Sequence, residues 1–365
     1  MEKEIKASGR LKNIYVIIPV YNNAGLLEYA VNSVLRQPYK NINVVIVDDG
    51  STDGSSEVCD KFADNKRVKI FHQSNQGVST ARNVGIEYAL SCCEDNDYIA
   101  FCDSDDFWMK DAIDEGAVNN TTCDILGFGT YCSNYNGKRL KIFDSYENEL
   151  KQSKLGAMEW RFKGSFAAHL YRAELFGKYK LRFNENIKIQ EDEIFFRKFV
   201  FSARSFCAYE KMLYVYRNNP SSVTHNYNVI IDNMLHMPNA WLEAINFAET
   251  LDISDALKKK WRKVCEESVA SNLLTNARSL AINGCSCEEI DEIINNNEMS
   301  YCLDKATVDT LSWARDDLVK FKNDIGSFVN HYKKYGRKYK VIKKILEIPL
   351  VKSIYDFTRY RIVLK

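Results

Sequence analysis

Ile14-Tyr15-Val16-Ile17-Ile18-Pro19-Val20 is a continuous apolar run of strand length, rich in β-branched residues, and it opens at once onto the polar pair Tyr21-Asn22. A strand without polar alternation is one buried on both faces, as in a parallel sheet covered by helices. The same unit repeats downstream. Residues 28–36 follow with helical spacing, Ala30, Val31, Val34 and Leu35 forming the apolar side. Then 43–47 reads as strand, 54–62 as helix, 68–72 as strand, 78–90 as helix and 98–102 as strand. This β-α-β-α-β-α-β order, joined by right-handed crossovers, predicts an α/β, Rossmann-like, mostly parallel sheet flanked by helices.

Beyond the fourth strand the texture changes. Residues 124–128 read as another strand, 131–141 carry loop and turn residues, and 158–215 are rich in aromatic and basic side chains. Trp160, Phe162, Phe166, Tyr171 and Phe183 are either core or the wall of a sugar pocket, since aromatic faces pack on the apolar faces of pyranose rings. From about residue 230 the pattern is helical, at 234–251, 256–280, 287–295 and 307–320. The expected organisation is one α/β domain in two halves, 1–110 and 111–228, followed by a C-terminal helical region over 229–365 that ends in a basic amphipathic tail.

A length of 365 residues leaves room for more than one folding unit, and a formal charge of +1 argues against a general polyanion binder, so no nucleic-acid partner is expected. The eleven cysteines are scattered, several of them in apolar runs (Cys102, Cys123, Cys207), and 1–12 is polar rather than signal-like. They read as reduced, structural thiols. No segment approaches about 18 consecutive apolar residues, so no transmembrane helix is expected and the reading is cytoplasmic. Over 332–365, however, lysines and arginines alternate with Val341, Ile345, Leu346, Leu350 and Ile354, broken at Pro349. That pattern suits a basic amphipathic segment at the inner face of an anionic membrane, or a helix that packs its apolar face on the body and solvates its lysines.

The chemistry lies where the strands end. Asp103-Ser104-Asp105-Asp106 emerges directly from 98–102, and three carboxylates in four positions repel one another unless a cation or hydrogen bonds offset the charge. Mg²⁺ and Mn²⁺ are hard cations that one or two carboxylates hold while phosphate oxygens and water complete the shell. Asp48-Asp49-Gly50-Ser51 likewise follows a buried strand; Asp53 or Thr52 can cap the next helix while one of the paired acids accepts from the ring N–H of a pyrimidine. Gln76-Gly77-Val78-Ser79-Thr80-Ala81-Arg82-Asn83 sets a glycine turn before a helix start, where free amides and Arg82 suit negative charge. Polar groups placed repeatedly at the carboxyl rim of a parallel sheet suggest one shared site, suited to a nucleotide diphosphate with its metal.

These motifs, Ile17-Ile18-Pro19-Val20-Tyr21-Asn22, Val47-Asp48-Asp49-Gly50-Ser51-Thr52-Asp53-Gly54, Asn75-Gln76-Gly77 with Ala81-Arg82-Asn83, and Phe101-Cys102-Asp103-Ser104-Asp105-Asp106, run over the first third of the chain. In order and spacing they resemble the family 2 glycosyltransferases of GT-A fold, inverting bacterial enzymes that build capsule, O-antigen and exopolysaccharide. The resemblance implies a UDP-sugar donor, an acceptor that is a glycan or lipid-linked, and Mn²⁺ or Mg²⁺. It implies that Pro19 and Tyr21 pack around the base, Asp49 recognises uracil, and Gln76, Arg82 and Ser104 lie near the nucleotide. Asp103 matches the ribose-associated acid and Asp105 the metal ligand, with Asp106 sharing or replacing that role.

Two later segments extend the resemblance. Ile189-Gln190-Glu191-Asp192-Glu193-Ile194-Phe195-Phe196 is similar to the acceptor-side E-D motif, which implies Asp192 as general base and Glu191 in support. Tyr214-Val215-Tyr216-Arg217-Asn218-Asn219, followed by Ser221-Ser222-Val223-Thr224-His225, is similar to the segment that closes over the diphosphate. There His225 is either a metal ligand or a surface histidine; His169 reads as packing in the core or beside the acceptor pocket. A nucleotidyltransferase would open with a glycine-rich basic loop where Pro19-Val20-Tyr21-Asn22-Asn23 stands, and a non-catalytic sugar-binding relative would show erosion of the acidic motif or of Asp192. Neither mark is present.

Overall fold

The computed structural model describes residues 11–119, 121–134, 141–144, 153–154, 166–188, 190–218, 240–296, 299–306 and 315–334. Contacts divide the chain into two units, Met1–Ser222 with Asn246–Leu257 and Val223–Ile245 with Lys258–Lys365.

In the first unit β1 (Ile14–Val20), β2 (Ile42–Asp49), β3 (Val68–Gln73) and β4 (Tyr98–Phe101) pair in parallel in the order β3-β2-β1-β4. Every residue of β1 and β4 is buried, because helices cover both faces. The connections are α1 (Ala24–Leu35), α2 (Ser55–Asp60) and α3 (Val78–Cys92). α3 sits directly on β1: a Cβ on Gly85 would stand 2.5 Å from Ile17 Cγ2.

The sheet does not stop at residue 110. After β5 (Phe107–Trp108) and α4 (Glu115–Asn119) come β6 (Ile125–Ser133), β7 (Lys141–Asp144), β8 (Ser153–Lys154), β9 (His169–Arg172), α5 (Ala173–Lys178), α6 (Glu191–Ser202) and β10 (Ser205–Arg217). The order continues β4-β9-β6-β10-β5, with β9 antiparallel to β4 and β6, and β5 antiparallel to β10. Segments 1–110 and 111–228 both contribute strands to one ten-stranded sheet. The turn residues that marked 131–141 as loop hide the end of β6, which runs on to Ser133 because β10 pairs with it in parallel as far as Arg217↔Ser133.

Most of the described aromatics of this segment are core, with Tyr179 and Tyr209 half-buried. Phe166, Tyr171 and Phe183 are buried, and Phe101 packs against all three with centroids 5.4–6.0 Å apart. Phe166 and Tyr171 are thus core, while Phe183 packs in the core and also borders a cleft beside α3; Trp160 and Phe162 lie outside the described residues. His169 is fully buried, 4.8 Å from the Phe196 ring. One thiol expectation changes: Cys123 and Cys207 form a disulfide, which the parallel pairing Phe206↔Ile125 makes possible by bringing their Cα atoms to 5.9 Å. The pairing joins residues 84 apart in sequence, so no local pattern announced it.

Helix α7 occupies 240–249. The second unit takes in most of α8 (Asp255–Asn283) and all of α9 (Cys287–Asn295), α10 (Tyr301–Lys305) and α11 (Arg315–Asn323). α8 buries Trp261, Cys265, Val269, Leu273, Ala277 and Leu280, a stripe at three- and four-residue spacing. α9 begins with a reciprocal capping box between Ser286 and Glu289. Arg278 on α8 pairs with Asp317 on α11, which also accepts from the Tyr332 hydroxyl at 2.7 Å. No described helix is long and apolar enough to cross a membrane. Of the basic segment 332–365, residues 335–365 lie outside the described residues.

Candidate active site

At the rim, the β1 and β2 ends are stitched together. Asp53 caps two helices at once: its Oδ1 accepts from Ser55 N at 3.0 Å at the start of α2, and its Oδ2 from Ala24 N at 3.0 Å at the start of α1. Asn22, at φ 49°, accepts from Thr52 N at 2.7 Å. Gly50 has φ +74°, and a Cβ there would stand 2.7 Å from Asn75 N, so only glycine lets the β2 and β3 loops meet. Pro19 is buried at the end of β1, and Tyr21 beside it is 53% exposed.

The paired acids after β2 divide their work. Asp49 accepts from Gln73 Nε2 (2.7 Å), Gln76 N (2.8 Å) and Gly77 N (2.8 Å), which fixes the turn before α3. Three N–H groups occupy three of the roughly four acceptor positions of a carboxylate. Asp48 accepts from Ser51 N, Ser56 Oγ and His72. Burial alone would raise its pKa, but hydrogen bonds from Ser51, Ser56 and His72 hold it below the ordinary value.

The acidic loop after β4 is anchored from β10. Tyr214 donates its hydroxyl to Asp106 Oδ2 at 2.5 Å and accepts from Asp103 N at 3.3 Å. Arg217 donates its backbone N–H to Asp106 Oδ1 at 2.7 Å and its Nε to the Asp105 carbonyl at 2.7 Å. Burial, reinforced by the charges of Asp105 and Asp103, pushes the Asp106 carboxyl well above the ordinary range. Asp106, expected to share or replace the metal role, has each of its oxygens bonded once inside the protein and anchors the loop. Ser104 Oγ accepts from Asn23 Nδ2 at 3.0 Å, tying the loop back to the β1 end.

Asp103 and Asp105 are the partly exposed acids of the loop. Among the described residues no three His, Cys, Asp or Glu side chains converge on one metal position. A Mg²⁺ or Mn²⁺ ion shared with a diphosphate needs only one or two carboxylates from the protein, and the Asp105 oxygens are of the hard type such ions take, so the donor set fits. His225 lies outside the described residues.

Arg82 joins the two halves of the constellation. From α3 its Nη2 reaches Asp103 Oδ1 at 2.9 Å and its Nη1 reaches Glu191 Oε1 at 2.8 Å, with the guanidinium 5.0 Å from the Phe166 ring and 5.1 Å from the Phe183 ring. Burial would lower its pKa, but Asp103, Glu191 and Asp192 together raise it above the ordinary value. The guanidinium expected near a nucleotide is thus committed to two carboxylates. α6 starts from Gln190 at φ 67°, a left-handed conformation that turns Glu191 and Asp192 into the helix's first turn. The Asp192 carboxyl is pushed up to about 7, first by burial and then by the Glu191 charge, with Arg82 opposing. Tyr214 and Arg217 are the residues whose roles the sequence reading missed. They stood in a segment already singled out, but their partners are about 110 positions away.

Residues 15–179 match the family model described as glycosyl transferase family 2. An uncharacterized glycosyltransferase of Bacillus subtilis, EpsJ, is 31% identical over 258 residues, covering 67% of this chain and 72% of that one. The chain belongs to glycosyltransferase family 2. The B. subtilis minor teichoic acid biosynthesis protein GgaA is 31% identical over 218 residues, 55% of this glycosyltransferase and 46% of GgaA. Among solved structures, S. aureus TarS 1-349 in complex with UDP-GlcNAc matches with a TM-score of 0.61 at 20% identity, covering 89% of this chain and 92% of that one. A mannosyltransferase of Pyrobaculum calidifontis in complex with GDP-Man and Mn²⁺ matches with a TM-score of 0.50 at 14% identity, covering 95% and 88%. The glycosyltransferase therefore has the GT-A fold, a mixed sheet flanked by helices.

Proposed function

We propose that this enzyme is an inverting, metal-dependent glycosyltransferase that moves a hexosyl or N-acetylhexosaminyl group from a UDP-sugar to a hydroxyl of a glycan or lipid-linked acceptor in cell-surface polysaccharide synthesis. The observation that carries the reading is the Arg82 bridge. It ties Asp103, at the donor end, to Glu191 beside Asp192, a carboxylate whose pKa of about 7 suits a general base at neutral pH.

In this reading Pro19, Tyr21 and Asp49 receive the uracil, Gln76 and Ser104 flank the nucleotide, Asp103 meets the ribose and Asp105 holds Mn²⁺ or Mg²⁺. A bound divalent ion would neutralise charge on the departing diphosphate. Asp192 takes the acceptor hydroxyl's proton as the oxygen bonds the anomeric carbon, and the glycosidic bond's electrons leave with UDP from the opposite face. The logic is that of inverting glycoside hydrolysis with an alcohol in place of water. The UDP choice is supported by TarS, solved with UDP and UDP-GlcNAc, while the GDP-Man complex marks the competing base.

A donor panel tests this. With Mn²⁺ present, UDP-Glc, UDP-Gal or UDP-GlcNAc should release nucleotide and GDP-Man should not, and proton NMR should give a transferred sugar of inverted anomeric configuration. Release from GDP-Man alone, or retention of configuration, overturns the corresponding half of the proposal.

The acceptor is proposed to lie at an anionic membrane reached by the basic segment 332–365. In liposome flotation the full chain should rise with anionic vesicles more than a form ending near Tyr332; equal partitioning of the two removes the membrane contact.

A further inference from the structure

Beside the constellation, a cleft of about 520 Å³ opens between α3 and residues 182–186. Its walls include Thr80, Asn83 and Glu87 from one face of α3, and Arg182, Asn184 and Asn186 opposite. None of these side chains has a part in the donor chemistry above. The volume falls within the ~300–1,000 Å³ usual for small-molecule sites.

The cleft is built rather than incidental. Asn83 Nδ2 donates to the Phe183 carbonyl at 2.9 Å and to Glu185 Oε1 at 3.0 Å, and Asn83 Oδ1 accepts from Phe183 N at 2.9 Å. These bonds clamp the far wall to α3. Phe183 also lines the cleft, and its ring lies 5.1 Å from the Arg82 guanidinium, which itself contacts Glu191 at 2.8 Å. The cleft thus adjoins the acceptor-side helix through Phe183, whose ring also stacks at 4.1 Å on Phe195 of α6, while at its other end Thr80 donates to the Gln76 carbonyl at 3.2 Å.

Its chemistry narrows the ligand. Asn83 spends its amide on the clamp and Thr80 its hydroxyl proton on the Gln76 carbonyl, so the amides of Asn184 and Asn186 are the groups that match vicinal sugar hydroxyls. The two carboxylates, Glu87 and Glu185, stand against one guanidinium, Arg182, already paired with Glu87 at 2.6 Å. A wall with surplus negative charge disfavours phosphate and uronate and leaves neutral polyols.

We propose that this cleft holds a neutral sugar residue of the acceptor, adjoining the residue whose hydroxyl is glycosylated. The assignment rests on the glycosyltransferase reading of the Arg82 constellation and adds to it the subsite and the charge class of the acceptor.

Saturation-transfer NMR on the full chain, with UDP and Mn²⁺ present, tests it using lactose, cellobiose and chitobiose as neutral probes and glucose 1-phosphate as the anionic one. At least one neutral disaccharide should give signal and glucose 1-phosphate none. That signal should fall about fivefold or more, the effect of losing one or two hydrogen bonds, in Asn186→Trp and in Glu87→Trp, both of which fill the cleft from its exposed edge. UDP affinity, measured in the same samples, should stay within about twofold of wild type, which also reports that the variants are folded. Undiminished signal in both variants, no signal from any neutral probe, or preference for the anionic probe overturns the assignment. Failure of the wild type to bind UDP overturns the donor reading instead.

Discussion

Replacing Asp192 with asparagine lowers turnover by about 10²–10⁴-fold, the share of a rate that a positioned general base supplies, while UDP-sugar affinity stays close to wild type. Asparagine keeps the shape at the start of α6 and can still accept from Glu193 N, the 2.8 Å contact that Asp192 Oδ1 makes. It cannot take a proton. The pH profile carries the same signature. Burial and Glu191 hold the Asp192 proton until about pH 7, so wild-type turnover should climb roughly tenfold per unit below that point and level off above it.

Stability moves in the opposite sense. The folded pKa lies above the unfolded value of 3.8, so the native state binds this proton more tightly than the unfolded chain does. The stability that the group lends is complete below the unfolded value and is lost as pH rises through about 7. Asp192→Asn should therefore melt higher than wild type at pH 8, and by less at pH 5. Near-normal turnover, or a variant less stable at pH 8, would remove Asp192 from the role of general base with a raised pKa.

Arg82→Met should cost about 3–5 kcal/mol of stability, read from the urea midpoint, because removing one member of a buried ionic group leaves the others uncompensated. The side chain of Arg82 is 5% exposed and that of Glu191 is 11% exposed, whereas Asp103 at 31% can recover part of its hydration, so most of the cost falls on Glu191 and Asp192. Arg82→Lys keeps the charge but cannot span Asp103 and Glu191 with a planar fork, so it should fall between wild type and Arg82→Met. Adding Glu191→Gln to Arg82→Met should return part of the loss. A cost below about 1 kcal/mol would mean that the acids are solvated and the bridge is no more than a surface pair.

The donor-side architecture was legible in the sequence because it is local. Each apolar run of β1, β2 and β4 ends at the residues that face the rim, so Tyr21, Asp49 and the 103–106 loop could be placed by reading forward from a strand. Sheet closure was not legible. The pairings of β9 with β4 and β6, and of β10 with β6 and β5, join residues up to about 110 positions apart, so the 131–141 turn chemistry and the aromatics of 158–215 pointed elsewhere. The role of Asp106 shows the same limit. Its spacing in the motif is that of a metal ligand, while its burial under Tyr214 and the Arg217 amide depends on a strand that begins a hundred residues later. Arg82, expected near the nucleotide, reaches Asp103 of the same motif set; its second partner, Glu191, was not legible because it lies 109 positions away.

The most direct test of the account is calorimetric titration of UDP, GDP and CDP, with and without Mn²⁺, into the wild type and Asp105→Asn. The account predicts binding of UDP in preference to GDP and CDP, strengthened by Mn²⁺ in the wild type and indifferent to Mn²⁺ in the variant. Equal binding of UDP with and without the metal, or no nucleotide binding at all, would contradict it.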